Sequence, residues 1–316
     1  MIFKNENMEN NGILISVITI TYGHEKYILD TLEGVLMQDY NGPIEFIIAN
    51  DNSPDNTDEI IKQYFENITI TKNIEVRYKC HDINKGLIEN FKWALMQARG
   101  KYIALCEGDD YWTDRFKLQK QVDFLENNRE YGLVHTNSIS KKNEIIIKNN
   151  NNKFIKDGFI FEDLITHKFF IYTLTVCIRT NLLLKWFNSI EDIYIKKKWK
   201  MLDYPLWLEG SSNTKFKYFN DVTACYRILP ESASHSRSKY KRYLFYKSVY
   251  DIKFYFTSIV ELNPKIIQEI KTEYYKGLFS YSKYNLTEST KGLIYLVKKK
   301  ALNLRMFFVY LKNILF

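Results

Sequence analysis

The feature that most constrains this chain is an alternation, repeated four times within residues 14–128, of short β-branched apolar runs and longer amphipathic segments. LISVITIT at 14–21 has no polar face wider than a hydroxyl, as expected of a strand buried on both sides. Residues 25–38 follow with Ile28, Leu32, Val35 and Leu36 on one helical face. IEFIIAN at 44–50, IEVRYK at 74–79 and KYIALC at 101–106 repeat the strand pattern. DEIIKQYF at 58–65, LIENFKWALMQA at 87–98 and FKLQKQVDFLENN at 116–128 repeat the helical one. Four β–α units at this spacing predict an α/β fold, a mainly parallel sheet flanked by helices. Ligands of such sheets bind beyond the carboxyl ends of the strands. The stretches to search are therefore Thr21-Tyr22, Asn50-Asp51, Cys80–Gly86 and Glu107–Asp110.

Further along, LVHTNSIS at 133–140, YTLTVCIR at 172–179 and KFKYFNDVTACYRIL at 215–229 read as strands, and KNNNNK at 148–153 as an exposed loop. From about residue 239 the pattern is helical to the end. The expected division is a flexible start at 1–12, a catalytic α/β domain at 13–238 and a helical, basic extension at 239–316. The first residues contain no apolar signal core, and no uncharged apolar run approaches the roughly 18 residues of a membrane-spanning helix. Cys80, Cys106, Cys177 and Cys225 are widely spaced and form no metal or disulfide framework. The expectation is a cytoplasmic protein with reduced thiols.

Glu107-Gly108-Asp109-Asp110-Tyr111-Trp112 follows a strand directly and sets three carboxylates within four residues. Such close like charges resist ionisation unless a cation compensates, and oxygen ligands suit Mg²⁺ or Mn²⁺. A solvated acidic turn, with Asp110 or Asp114 capping the next helix, fits the same residues. Asp51 precedes the turn formers Asn52-Ser53-Pro54-Asp55 and is placed to accept hydrogen bonds from a base or ribose, whereas Ser53 and Asp55 fit an Asx-type turn. Asn84-Lys85-Gly86 opens a helix, where backbone N–H groups welcome an anion. Asp203 opens DYPLWLE, either as a helix cap or as a general base. Arg227 and Arg237 suit a diphosphate, and His235 suits either a diphosphate or a metal shell. No GxGxxG follows the first strand and no GxxxxGK[ST] occurs, so dinucleotide-binding and P-loop readings lack support.

Taken in order, these pieces resemble the inverting glycosyltransferases of family 2, which have the GT-A fold, a Rossmann-like architecture, here of the bacterial surface-polysaccharide type. The resemblance covers roughly residues 14–236 and rests on ISVITITYGHEKYILDTLEGVLMQDY, IEFIIANDNSPDNT, NKGLIENFKWALMQARGKYIALCEGDDYW, DYPLWLE and YRILPESASHS. It implies that Tyr22 packs on the donor's base, flanked by Thr21 and Glu25. Asp51 would bind the base edge, Asn84, Lys85 and Gly86 would line the nucleotide cleft, and Arg227 would sit near the diphosphate. Asp109 would bind a metal, with Glu107, Asp110 and His235 beside it, and Asp203 would take the proton of the acceptor hydroxyl. The cofactor implied is Mn²⁺ or Mg²⁺; the donor is a nucleoside-diphosphate sugar, foremost a UDP-sugar; the acceptor is a glycan or lipid-linked glycan of capsule, O-antigen or lipooligosaccharide synthesis. Two positions depart from the family's usual pattern: Glu107 stands where Asp is commoner, and Leu202 where many relatives carry an acid. A sugar nucleotidyltransferase would carry a glycine-rich basic loop where this chain has TYGHEKY, and a non-catalytic membrane-associated scaffold would not need the acids at 107–110 and 203.

The formal net charge of +8 concentrates at the end of the chain, where residues 291–316 hold Lys291, Lys298, Lys299, Lys300, Arg305 and Lys312 and no acid. Apolar residues recur there at helical spacing, which predicts contact with an anionic membrane surface, on the inner face of the plasma membrane. The alternative is a helix docked on the rest of the protein with its lysines in water. Nucleic acid is not an expected partner, since no reader motif accompanies the charge.

Overall fold

The computed structural model describes residues 1–4, 12–70, 73–148, 154–230 and 236–315. The chain divides into two compact units. The first comprises Met1–Ile160, Lys168–Glu191 and Glu209–Ile228, and the second Phe161–His167, Asp192–Leu208 and Leu229–Phe316. The helical unit is therefore assembled from three segments rather than from the chain beyond residue 238 alone. At the start, Ile2–Lys4 (β1), within the stretch expected to be flexible, pair antiparallel with Ile74–Cys80.

The four β–α repeats fold as their periodicity dictates. Ile15–Thr21 (β2), Ile28–Leu36 (α1), Ile44–Asn50 (β3), Thr57–Asn67 (α2), Ile74–Cys80 (β4), Leu87–Gln97 (α3) and Tyr102–Leu105 (β5) alternate along the chain. β4, β3, β2 and β5 lie side by side and parallel. The chain runs outward from β2 through β3 to β4, then returns to place β5 on the other side of β2. That reversal is the topological switch point at which open α/β sheets bind ligands. Ile15, Val17, Phe46, Ile48, Val76 and Ala104 fill the core against Ile28, Leu32 and Val35 of α1. Glu45 is fully buried in β3, its carboxylate accepting from Ser16 Oγ at 2.7 Å, Arg99 N at 2.9 Å and Arg77 Nη1 at 2.9 Å. Buried charge of this kind persists only when so fully paired.

The sheet continues with Tyr111–Trp112 (β6), Tyr131–Lys142 (β7), Ile145–Lys148 (β8), Cys177–Arg179 (β9) and Lys215–Arg227 (β10), with Lys117–Asn127 (α4) between β6 and β7. β9 runs antiparallel between β5 and β7, β10 is parallel to β7, and β6 pairs antiparallel with the far edge of β10. The strand expected over 172–179 is shorter: Thr173–Thr175 form a 3₁₀ turn. The physical reason is local, because Thr175 Oγ1 donates to the Tyr172 carbonyl at 2.6 Å and competes with the ladder.

In the second unit, Phe161–Ile165 (α5) precedes Lys239–Ile259 (α8), Pro264–Leu278 (α9), Leu286–Lys298 (α10) and Leu304–Leu315 (α11). Thr180–Lys197 (α6) and Asp203–Asn213 (α7) each run through a boundary between the units. Asn263 caps α9 through Lys265 N at 2.9 Å, with Pro264 in its first turn, and Asn285 caps α10 through Glu288 N at 3.1 Å. Leu296 and Tyr310 pack on Phe279, so the basic tail is docked within its unit. Ile294, Val297, Leu304 and Phe308 nevertheless stay exposed beside Lys298, Lys299, Lys300 and Arg305. No described helix is long and apolar enough to cross a membrane.

Candidate active site

The carboxyl ends of β2, β3 and β5 converge, and backbone geometry ties them together. Asp51 N donates to the Thr21 carbonyl at 2.9 Å, and Gly108 N to the Ile20 carbonyl at 3.0 Å. The turn after β3 is stitched to the turn after β2: Gly23 N donates to Ser53 Oγ, Glu25 N to Asp55 Oδ2 and Asn56 N to Glu25 Oε2. Asp55 also accepts from Thr57 N, the Asx turn expected of it. Glu25 thus braces two loops, while Tyr22 leaves its ring half exposed beside them.

Asp51 is almost fully buried, and its two carboxylate oxygens accept from Lys85 N at 2.7 Å and Gly86 N at 2.9 Å. The Asn84 side chain donates to the Asp51 carbonyl at 3.1 Å. Asp51 therefore holds the 84–86 loop in place. Gly86 caps α3 with φ 82° and ψ 163°, a backbone region open essentially to glycine alone.

The acidic turn 107–110 lies across the end of β2. A Cβ on Gly108 would stand 2.5 Å from Thr21 Oγ1 and 2.8 Å from His24 Nδ1, so only glycine lets the turn approach this closely. The three carboxylates have distinct surroundings. Asp110 is buried, its Oδ1 accepting from Arg227 N at 2.7 Å. Burial pushes its pKa well above the carboxylate range, with the Asp109 and Glu107 charges adding to the rise. Asp109 is half-buried, and its carboxylate has no hydrogen-bond or ion-pair partner among the described residues. Glu107 is half-buried as well. Neither Asp110 nor Asp114 caps α4, whose N-cap is Phe116 with no side-chain capping bond; Asp114 instead accepts from Phe116 N at 2.9 Å in an Asx turn just before the helix.

The donor set suits a hard divalent cation, since it is carboxylate oxygen with like charges crowded within four residues. Among the described residues no three His, Cys, Asp or Glu side chains form a metal cluster. Mg²⁺-type sites ordinarily take one or two carboxylates and complete their shell with substrate phosphates and water, so Asp109 with Glu107 fits such an arrangement. His235, expected as a further ligand, lies outside the described residues.

Arg227, expected near the diphosphate, is 7% exposed and its guanidinium is engaged within the protein, pairing with Asp30 and donating to the Asp109 carbonyl at 2.8 Å, so it braces the acidic turn. Asp30 and Thr31 are the residues sequence reasoning missed. Thr31 Oγ1 donates to the Asp110 carbonyl at 2.6 Å. The available signal was a hydroxyl on the apolar stripe of Ile28, Leu32 and Val35.

All of these residues belong to the first unit; Asp203 belongs to the second. There it opens α7, where a carboxylate meets the positive end of the helix dipole. The Tyr194 phenol is pushed up to about 12, by burial first and then by the Asp203 charge.

The model of glycosyl transferase family 2 matches residues 16–183, which take in every strand-end feature described from β2 to the acidic turn. The chain belongs to glycosyl transferase family 2. An uncharacterized protein of Mycobacterium bovis is 43% identical over 116 residues, 37% of this chain and 32% of its own. The match thus spans about a third of that relative's length. The Escherichia coli UDP-Glc:α-D-GlcNAc-diphosphoundecaprenol β-1,3-glucosyltransferase WfaP is 29% identical over 228 residues, 72% of this chain and 82% of its own. Among solved structures, S. aureus TarS 1-349 in complex with UDP-GlcNAc superposes with a TM-score of 0.60 at 21% identity, covering 86% of this chain and 74% of that one. The Pyrobaculum calidifontis mannosyltransferase PcManGT in complex with GDP-Man and Mn²⁺ gives 0.55 at 15% identity, covering 92% and 76%. At those identities the family 2 chain shares their fold, a mainly parallel sheet flanked by helices.

Proposed function

We propose that this family 2 chain transfers a sugar from a nucleoside-diphosphate sugar, foremost a UDP-sugar, to an acceptor hydroxyl with inversion at the anomeric carbon. The observation that carries the reading is the acidic turn at the switch point, in which Asp110 is buried and braced while the neighbouring Asp109 carboxylate has no partner among the described residues. In this reading Tyr22 offers its exposed ring to the base, and Asp51 with the 84–86 loop forms the nucleotide cleft. Asp109 and Glu107 would hold Mn²⁺ or Mg²⁺, which when bound neutralises charge on the leaving diphosphate. The nucleotide choice is supported by UDP-GlcNAc in TarS and UDP-Glc for WfaP, and the metal by Mn²⁺ in PcManGT.

Inversion requires one in-line displacement with no enzyme nucleophile, and the acceptor hydroxyl must lose its proton as it attacks. We assign that proton to Asp203, following its match to the family's base segment. The acceptor proposed is a lipid-linked glycan of surface-polysaccharide synthesis, as for WfaP, reached by a protein held peripherally on an anionic membrane through the exposed basic and apolar residues of α10 and α11. The test is transfer from radiolabelled UDP-sugars to lipid-linked acceptors by the wild type and by Asp203→Asn. Loss of at least about 10³-fold in kcat with donor affinity kept supports the base assignment, and full activity in the variant refutes it.

A further inference from the structure

Arg227 is the last residue of β10, and five groups from outside that strand converge on it. Its Nη1 donates to the Asp109 carbonyl at 2.8 Å, its Nη2 pairs with the Asp30 carboxylate of α1, and its own backbone N–H donates to Asp110 Oδ1 at 2.7 Å. The plane of the guanidinium lies against the rings of Tyr111 at 4.4 Å and Tyr27 at 5.2 Å. Thr31, next to Asp30, takes the Asp110 carbonyl. The backbone on either side of the Asp109 side chain is therefore fixed from α1 and β10, while that side chain itself carries none of the bracing.

We propose that Asp30 and Arg227 form a positioning pair that holds the acidic turn so that the Asp109 carboxylate stays available to the donor's metal. The proposal rests on the donor-site reading above and adds to it Asp30 of α1 as the partner that holds Arg227. A buried cation that loses its partner must turn to another anion. Arg227 is nearly inaccessible to water, so its charge must be met by protein. Asp30 meets it from the solvent side, with a side chain 53% exposed. Without the Asp30 charge, the acidic turn that the guanidinium already touches at the Asp109 carbonyl offers it anions, and the Asp109 carboxylate has no partner among the described residues. A guanidinium drawn onto that carboxylate competes directly with a divalent cation. Lysine at 227 could not reproduce the fork that spans a carboxylate and a carbonyl while stacking on two rings.

The test uses the full-length protein and UDP as the probe. Calorimetric titrations at a series of Mn²⁺ concentrations give the Mn²⁺ midpoint for UDP binding in the wild type, Asp30→Asn, Arg227→Lys and the double variant, with thermal melts alongside. The expected result is a midpoint raised about ten-fold or more in Asp30→Asn, the size usual for a residue behind a metal ligand, with UDP affinity at saturating Mn²⁺ within about two-fold of wild type. The double variant should shift no further than Arg227→Lys alone, because the two residues act as one unit. A purely structural role would lower the melting temperature and leave the Mn²⁺ midpoint in place, and that result overturns the proposal, as do shifts that add in the double variant. Asp30→Asn sits at the surface and keeps the test decisive if Arg227→Lys does not fold. Wild-type protein that binds UDP without regard to Mn²⁺ overturns the donor-site reading together with the pair; unchanged midpoints in variants of a metal-dependent wild type overturn the pair alone.

Discussion

Replacing Gly108 with alanine tests how tightly the acidic turn is built. The added Cβ would lie 2.5 Å from Thr21 Oγ1, 2.7 Å from Thr21 Cβ and 2.8 Å from His24 Nδ1. Thr21 ends a central strand and is 2% exposed, so it has little room to withdraw. The turn must lift instead, which stretches the bond from Gly108 N to the Ile20 carbonyl. Overpacking of this kind costs about 1–3 kcal/mol, and a weakened buried hydrogen bond adds about 1 kcal/mol. A loss of about 2–4 kcal/mol corresponds to a melting temperature lowered by about 5–10 °C. The functional effect should be larger than the thermal one, because a displacement of about 1 Å at a reacting centre costs on the order of 100-fold in turnover. Circular dichroism melts and Mn²⁺-dependent UDP titration read the two effects separately. An alanine variant that melts within 2 °C of wild type and binds UDP with unchanged Mn²⁺ dependence would refute the close-approach argument.

Two other consequences can be measured independently. Lys253 is 2% exposed and burial lowers its pKa from 10.5 to about 7, so between about pH 7 and pH 10 the unfolded chain binds the extra proton. Stability should therefore rise with pH across that window; Lys253→Met should flatten the rise in pH-dependent denaturant melts and stabilise the protein at pH 7, by up to about 5 kcal/mol at 1.36 kcal/mol per pH unit. For the basic tail, changing Lys298, Lys299 and Lys300 together to serine should cut flotation with phosphatidylserine liposomes by at least ten-fold, at about 1 kcal/mol per cation, and equal flotation would reject the surface.

The central sheet was legible in the sequence because its signal is redundant. ISVITIT and IEFIIAN leave no face for water, and the turn formers between them fall where a parallel crossover must begin. The placement of Asp51, Asn84, Gly86, Glu107 and Asp109 at the carboxyl end of the sheet was legible for the same reason, each lying within six residues after a strand. What sequence alone did not reveal depends on contacts distant along the chain. Arg227 sits 197 residues from the Asp30 that engages it, and nothing in the local pattern of either marks the other. Gly108 read as one letter of an acidic motif, whereas its role is set by Thr21 and His24 on another strand end. The second unit was anticipated only from residue 239 because 161–167 and 192–208 join it through tertiary packing, as when Tyr204 donates its hydroxyl to the Leu164 carbonyl at 3.2 Å. Short edge strands such as Tyr111–Trp112 carry too few residues for a period to register.

The measurement that bears most directly on the account is calorimetric titration of the protein with UDP, with and without Mn²⁺, beside Asp109→Ala. The account predicts binding that requires Mn²⁺ in the wild type and is lost in the variant. Binding of equal strength in both proteins, or in the wild type regardless of the metal, would contradict the assignment of the acidic turn as the donor's metal site.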